Sequence, residues 1–114
     1  MTAVRITAQY VAPTKKAPTQ EWYFTLDAIL EGNRLKEREC FGSVSKKAGD
    51  ETVRWPFALR LENEKWVLDY GSESGWPSAP TDIFSRDIAP GSDFTVIEVS
   101  DGEGICKIIG IDPL

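Results

Sequence analysis

Apolar and polar residues alternate along most of this chain, and a period of two is typical of β-strands with one buried face. The pattern first holds over residues 4–10 and predicts a half-buried strand there. It is most regular over residues 22–30, where we predict a second strand. Pro13 and Pro18 bracket the polar loop between the two.

The segment over residues 35–44, LKERECFGSV, has a less regular pattern. Both of its faces carry charges over the first half, and such strands occur at sheet edges, where charge discourages pairing with another molecule. We therefore predict an edge strand that follows a turn at residues 31–34. A surface helix is the alternative, because Leu, Lys, Glu and Arg all favour helix.

A hairpin is predicted over residues 53–70, where two alternating runs flank Asn63-Glu64. With these two residues as the loop, one face of the hairpin is apolar throughout. The predicted cross-strand pairs are Glu62–Lys65, Leu61–Trp66, Leu59–Leu68 and Phe57–Tyr70. Pro56 has no amide hydrogen to donate, so its nitrogen must face away from the ladder or sit at a bulge.

Residues 71–80, GSESGWPSAP, predict a long irregular loop with Trp76 in its middle. Residues 81–88 fit either a strand or one helical turn, and we favour a short helix capped by Thr81. A turn at Pro90-Gly91-Ser92 then leads into the last hairpin.

The last hairpin, residues 93–112, is apolar at most positions of both arms, so we predict it to be central and covered on both faces. A loop centred on Gly102-Glu103, or one that takes residues 101–104, matches the apolar positions best. The predicted pairs are Glu98–Lys107, Val96–Ile109, Phe94–Ile111 and Ile97–Ile108. The alternative, an Asp101-Gly102 loop, sets Glu98 against Ile105 and mixes charge with core.

Together these segments predict an all-β fold in a single domain, residues 1–114. Six to seven short antiparallel strands with hairpin links, and at most one short helical turn, indicate a small barrel or sandwich of the SH3-like or OB-like kind. A chain of 114 residues is long enough to bury one hydrophobic core.

Charge is unevenly distributed along the chain, whose formal net charge is −5. Residues 1–50 carry eight Lys and Arg against six Asp and Glu, whereas residues 51–114 carry five against twelve. The lack of clustered Lys and Arg argues against nucleic acid as a partner. We also expect no signal peptide and no membrane association, because the start of the chain has no long apolar run.

Catalytic chemistry is restricted, because the chain has no histidine. This excludes Ser-His-Asp and Cys-His catalysis and His-ligated metal sites. Cys40 and Cys106 show no metal-binding spacing, and we interpret them as reduced thiols in the core of a cytoplasmic protein. We therefore predict a protein that is not an enzyme and that needs neither cofactor nor metal.

The tryptophans provide the positive signal for function. Trp22, Trp55 and Trp66 are in phase with the apolar faces of their strands and are predicted to lie in the core. Trp76 has no such context, so it either folds back to plug the open end of the barrel or serves as a contact residue. We select a candidate binding site from this part of the chain, and its residues are Trp76, Tyr70, Phe84, Glu73 and Asp82.

The first hypothesis is a small acidic domain that binds a protein partner through its acidic second half and the Trp76 loop. An acidic surface steers association toward basic partners, and bacterial proteins that neutralise toxins or nucleases share this size and charge. The alternative is a carbohydrate or small-ligand binding module that uses Trp76 as a stacking platform.

Overall fold

A computed structural model describes residues 1–12, 21–98 and 102–114 of the chain. These residues form nine β-strands and two short 3-10 turns, at Ser72–Ser74 and Ile83–Ser85. The strands are β1 (Thr2–Ala12), β2 (Glu21–Glu31), β3 (Arg34–Leu35), β4 (Cys40–Ala48), β5 (Glu51–Glu62), β6 (Lys65–Asp69), β7 (Ala79–Pro80), β8 (Asp93–Glu98) and β9 (Gly102–Pro113).

The strands form one antiparallel sheet in the order β7-β6-β5-β4-β2-β1-β9-β8, and β3 pairs with β2 outside this path. A single bridge between Thr81 and Val96 joins the two ends of the order, so the sheet curls into an almost closed barrel. The predicted all-β barrel is confirmed. More strands are present than predicted, and β3 and β7 each contribute only two residues.

One face of the sheet supplies the core, as period-two alternation requires. Phe24 lies at its centre, with ring centroids 5.3 Å from Phe57 and 4.9 Å from Phe94. The buried apolar residues are Val4, Ile6, Ala8, Phe24, Leu26, Ala28, Leu35, Cys40, Val44, Phe57, Leu59, Val67, Leu68, Ala79, Ile83, Phe84, Ile88, Phe94, Val96, Cys106 and Ile108. Among the described residues no charged side chain is buried with them.

The predicted register of β5 and β6 is confirmed. Leu59 pairs with Leu68, Leu61 with Trp66 and Glu62 with Lys65. The two loop residues have positive φ, 50° at Asn63 and 66° at Glu64, as a type I′ hairpin turn requires. Phe57 and Tyr70 lie beyond the end of the ladder, yet their rings meet at 6.1 Å. Pro56 precedes the part of β5 that pairs with β6, so its lack of an amide hydrogen removes no hydrogen bond between these two strands.

The prediction of an edge strand over residues 35–44 is wrong. The chain forms β3, leaves the sheet, and enters β4 at Cys40, and β4 lies between β2 and β5 in the interior of the sheet. Its inward side chains Cys40 and Val44 are buried. The charged residues 36–39, which suggested an edge, belong to the connection between β3 and β4.

The predicted register of the last hairpin is also wrong. Phe94 pairs with Cys106, Val96 with Gly104 and Glu98 with Gly102, so the residues placed in the loop from Gly102 onward belong to β9. The reason is that β9 pairs with β1 over nearly its whole length and with β8 over only its first half. Residues 99–101, which include the predicted turn residue Asp101, lie outside the described residues.

Coverage of this hairpin on both faces is not observed. Ile97 is 47% exposed and Ile109 is 50% exposed, whereas Phe94, Val96 and Ile108 on the other face are buried. Ile109 lies at a bulge, where the register between β1 and β9 shifts between Thr7 and Ala8. The hairpin is thus an ordinary half-buried part of the barrel wall.

Residues 81–88 contain the 3-10 turn at Ile83–Ser85, which agrees with the prediction of one helical turn rather than a strand. Its Thr81 hydroxyl accepts a hydrogen bond from the Ile83 amide at 3.4 Å and donates one to the Thr95 carbonyl at 2.7 Å. The described part of the chain contains no helix long and apolar enough to cross a membrane.

Candidate functional site: an aromatic row at one end of the barrel

The inner face of the sheet continues beyond the buried core at one end of β2, β4 and β5. There the alternation that buries Phe24, Val44 and Phe57 places three further side chains on the same face. They are Trp22 on β2, Lys46 on β4 and Trp55 on β5, and all three are only half-buried. This end of the barrel therefore presents an aromatic surface to solvent.

Three tryptophans stack on one another across this surface. The ring centroids of Trp22 and Trp55 are 5.3 Å apart with 25° between the ring planes. Those of Trp55 and Trp76 are 5.6 Å apart at 23°. Both pairs have the offset-stacked geometry that aromatic quadrupoles favour. We call Trp22, Trp55 and Trp76 the aromatic row.

A tight turn holds Trp76 against the row. Gly71 and Gly75 flank the 3-10 turn with φ of 91° and 72°, which favour glycine. The Ser74 hydroxyl donates to the Gly71 carbonyl at 2.8 Å and accepts from the Trp76 amide at 3.0 Å. Asp69 accepts from the Gly71 amide at 2.9 Å. These hydrogen bonds fix both ends of the turn, and because one of them holds the Trp76 amide, they also fix the position of the Trp76 backbone.

Trp76 remains 45% exposed in this position. The ring of Tyr70 meets it at 5.6 Å with 69° between the planes, and Tyr70 in turn contacts the core residue Phe57 at 6.1 Å. Two of the predicted site residues, Trp76 and Tyr70, are therefore in contact. Trp76 is supported by the barrel but leaves much of its surface open to a ligand.

Lys46 is the cationic residue among the described inner-face side chains of this aromatic surface. Its Nζ lies 5.4 Å from the centroid of the Trp22 ring, within the range of a cation–π interaction. Among the described residues, no carboxylate lies within ion-pair distance of Lys46. Val53, on the same face of β5, is 42% exposed and adds aliphatic surface. The surface therefore combines exposed aromatic area with one cation.

Phe84 and Asp82 lie at the other end of the barrel. Phe84 is buried against Trp66, with ring centroids 4.5 Å apart. Trp66 pairs with Leu61, which is six positions after Trp55 on β5, a separation of about 20 Å along an extended strand. The fifth predicted residue, Glu73, is exposed in the turn that precedes Trp76.

Asp82 uses both carboxylate oxygens inside the fold. One oxygen accepts from the Thr95 amide at 2.7 Å, and the other accepts from Nε of Arg86 at 2.8 Å. The Asp82 amide donates to the Thr95 carbonyl at 3.3 Å. Asp82 is thus hydrogen-bonded to both backbone groups of Thr95 in β8, at the point where the barrel closes.

A shallow depression lies beside Trp66 at that end. The Trp66 indole nitrogen donates to Glu37 at 3.2 Å. The depression is lined by Arg34, Glu37, Trp66, Thr81, Asp82, Phe84 and Ser85. Its polar side chains already bond within the fold, Glu37 to Trp66, Ser85 to the Asp82 carbonyl oxygen, and both Thr81 and Asp82 to Thr95. This depression therefore presents fewer free groups to a ligand than its composition suggests.

The thiols are poorly placed for chemistry. Cys40 and Cys106 are both buried and unbonded to each other. Burial raises the pKa of the Cys40 thiol, and its sulfur lies 3.1 Å from the Arg38 carbonyl oxygen. A raised pKa disfavours the thiolate that acts as nucleophile. Within the described residues, no group of three or more Cys, Asp or Glu side chains could hold a metal ion.

Acidic residues are spread over the barrel, and two of them lie near the aromatic row: Glu51, in phase with Val53 on β5, and Glu73, in the turn before Trp76. Arginines pair with Asp69, Asp82 and Asp87. Glu51 and Glu62 stand at opposite ends of β5. On the outer face, the Arg5 guanidinium binds Asp27 at 2.8 Å and lowers the pKa of that carboxyl through this hydrogen bond. The negative charge is therefore spread over the molecule.

Sequence reasoning placed Trp22 and Trp55 in the core and missed their part in the row. Their phase in the strand was correct, but both lie near strand ends, where the barrel no longer covers its inner face. Comparison of the chain with models of protein families, with curated proteins and with solved structures found no match.

Proposed function

We propose that this protein is a non-enzymatic binding domain that engages a protein partner through the aromatic row. The supporting observation is Trp76, which is 45% exposed although a stack, a Tyr contact and a tight turn hold it in place. Tryptophan and tyrosine, together with arginine, are enriched at the energetic centres of protein interfaces. A rigid aromatic side chain also loses little conformational entropy when a partner binds.

The chemistry of the row favours a protein segment over a sugar. A sugar needs several convergent hydrogen-bonding groups for its hydroxyls, because a buried polar group without a partner is costly. The described inner-face side chains around the row on β2, β4 and β5 are Trp22, Lys46, Glu51, Val53 and Trp55, and besides the indole nitrogens only Lys46 and Glu51 among them carry polar groups. The Ser74 hydroxyl nearby already makes two internal hydrogen bonds. Apolar side chains of a partner protein match this surface better.

Charge contributes to this proposal at long range. A net charge of −5 raises the rate of encounter with proteins of net positive charge, and added salt would reduce this effect. Two buried cysteines that are not joined in a disulfide support a reducing compartment such as the cytoplasm as the place of action.

A matched pair of variants tests the proposal. Trp76→Ser removes the exposed end of the row, and Phe41→Ser removes an equally apolar side chain that is 63% exposed on the outer face of β4. Partners captured from cell extract by the wild-type protein would be purified and their affinities measured by calorimetry. We expect Trp76→Ser to weaken binding by about thirtyfold, the effect of losing a hot-spot residue of about 2 kcal/mol, and Phe41→Ser to change it little.

Circular dichroism and thermal melting of both variants would confirm that each remains folded. Equal affinity of Trp76→Ser and wild type for every captured protein would contradict the proposal. Trp76-dependent binding to a glycan array, with no Trp76-dependent protein partner, would instead identify a carbohydrate module.

A further inference from the structure

The aromatic surface carries a positive charge that the fold leaves available. Lys46 lies between the strands that bear Trp22 and Trp55, and its position in β4 pairs with Trp22 on one side and Val53 on the other. Its Nζ is 5.4 Å from the Trp22 centroid, so its charged end is directed toward the row. Within the described residues no carboxylate lies within ion-pair distance of it, and the same-face neighbour Glu51 is exposed at the edge of this surface.

We infer that the row selects a protein segment in which an Asp or Glu side chain lies next to a large apolar side chain. This inference rests on the proposed function and specifies the chemistry of the bound segment. The apolar side chain would pack on Trp55 and Trp76, and the carboxylate would pair with Lys46. Lys46 and the tryptophan rings lie next to one another, so a short segment of the partner can place a carboxylate on Lys46 and an apolar side chain on the rings.

The local preference is compatible with an acidic molecule as a whole. Interactions between exposed charges are largely screened beyond about 8 Å at physiological salt. The overall negative charge therefore acts on the rate of encounter, whereas Lys46 acts on the segment that touches the row. The Lys46 side chain is half-buried beside the Trp22 ring, and a charge next to an apolar surface interacts with a carboxylate more strongly than one fully surrounded by water.

A display library of random peptides provides the test, with the purified protein as bait. Lys46→Gln removes the charge, and Lys46→Glu reverses it. Lys47→Gln is the matched control, because Lys47 is the next residue of β4, is exposed, and lies on the opposite face. Trp76→Ser reports whether enrichment depends on the row at all.

With wild-type bait and with Lys47→Gln, we expect peptides that combine a large apolar residue with a neighbouring Asp or Glu. With Lys46→Gln, the apolar preference should remain, and the frequency of the acidic neighbour should fall by up to about fivefold, the range of an exposed ion pair. With Lys46→Glu, Lys or Arg should replace the acidic residue.

The inference is overturned if Trp76-dependent peptides show the same acidic frequency with wild type and with Lys46→Gln, and in that case the proposed function still stands. If no peptide enrichment depends on Trp76, the proposed function itself fails and this inference fails with it. The two failures are therefore distinguishable in one experiment.

Discussion

At the residue scale, Gly42 allows β4 to pass through the middle of the sheet. A Cβ atom on Gly42 would lie 2.1 Å from the Thr25 carbonyl oxygen and 2.9 Å from Cζ of Phe57. The first of these atoms belongs to the backbone of β2, which cannot move away without breaking its ladder. The absence of a side chain here lets Phe57 occupy the inner face.

We predict that Gly42→Ala lowers the free energy of unfolding by about 3 kcal/mol, the upper part of the usual range for overpacking. Urea unfolding followed by tryptophan fluorescence would measure it. Gly110→Ala is the control, because a Cβ there meets its nearest atom, in the Asp112 carboxylate, at an ordinary 3.7 Å. Similar stabilities for the two variants would show that β2 and β4 can separate at low cost.

At the element scale, two hairpins show what the pattern of residues can predict. The register of β5 and β6 follows from the sequence because a two-residue turn and one apolar face agree on a single solution. The register of β8 and β9 does not follow, because β9 is also paired with β1. Three isoleucines of β9 pair with β1, and Ile109 lies at a bulge. Matching apolar positions within the hairpin alone cannot predict either arrangement.

The aromatic row was beyond sequence reasoning for a related reason. Its three tryptophans come from β2, β5 and the loop before β7, and β4 separates β2 from β5 in the sheet. The period of each strand predicts which way a side chain points, but the contact between Trp22 and Trp55 depends on sheet order. The Gly and Ser residues around Trp76 in the sequence identify it as unusual. They do not predict which residues it contacts in the fold.

The closure of the barrel beside β8 is a second feature of the element scale. Besides the bridge from Thr81 to Val96, Asp82 accepts from the Thr95 amide and binds Arg86. We predict that Asp82→Ala destabilises the fold by about 1 to 3 kcal/mol, since the partly buried Thr95 amide loses its acceptor. Asp82→Asn, which keeps an oxygen acceptor, should lose less.

Hydrogen exchange would locate this effect. The amide of Thr95 should exchange faster in Asp82→Ala, and amides between β2 and β4 should keep most of their protection. Uniform loss of protection throughout the sheet would contradict a local closure at this position.

At the scale of the whole molecule, β9 joins the first strand of the barrel to β8. It pairs with β1 from Val4 to Ala12 and with β8 on its other side. Without β8 and β9, the buried residues of β1 would lose the side chains that cover them, including Phe94, Cys106 and Ile108.

We therefore predict that a chain ending at Pro90 shows no cooperative thermal transition and self-associates. Calorimetry and size-exclusion chromatography would test this, with the full chain as control. A reversible two-state melt of the shortened chain would contradict the prediction and would identify residues 1–90 as an autonomous unit.

The same arrangement affects how the protein is made. Of the nine strands, β1 leaves the ribosome before the others, and β9, one of its two neighbours in the sheet, leaves after them. Throughout synthesis, the edge of β1 that faces β9 stays open, with Ile6 and Ala8 uncovered on that side. An unpaired strand edge is a template for association between chains. Production of this protein should therefore depend on chaperones, or on slow translation at low temperature, more than its modest size would suggest.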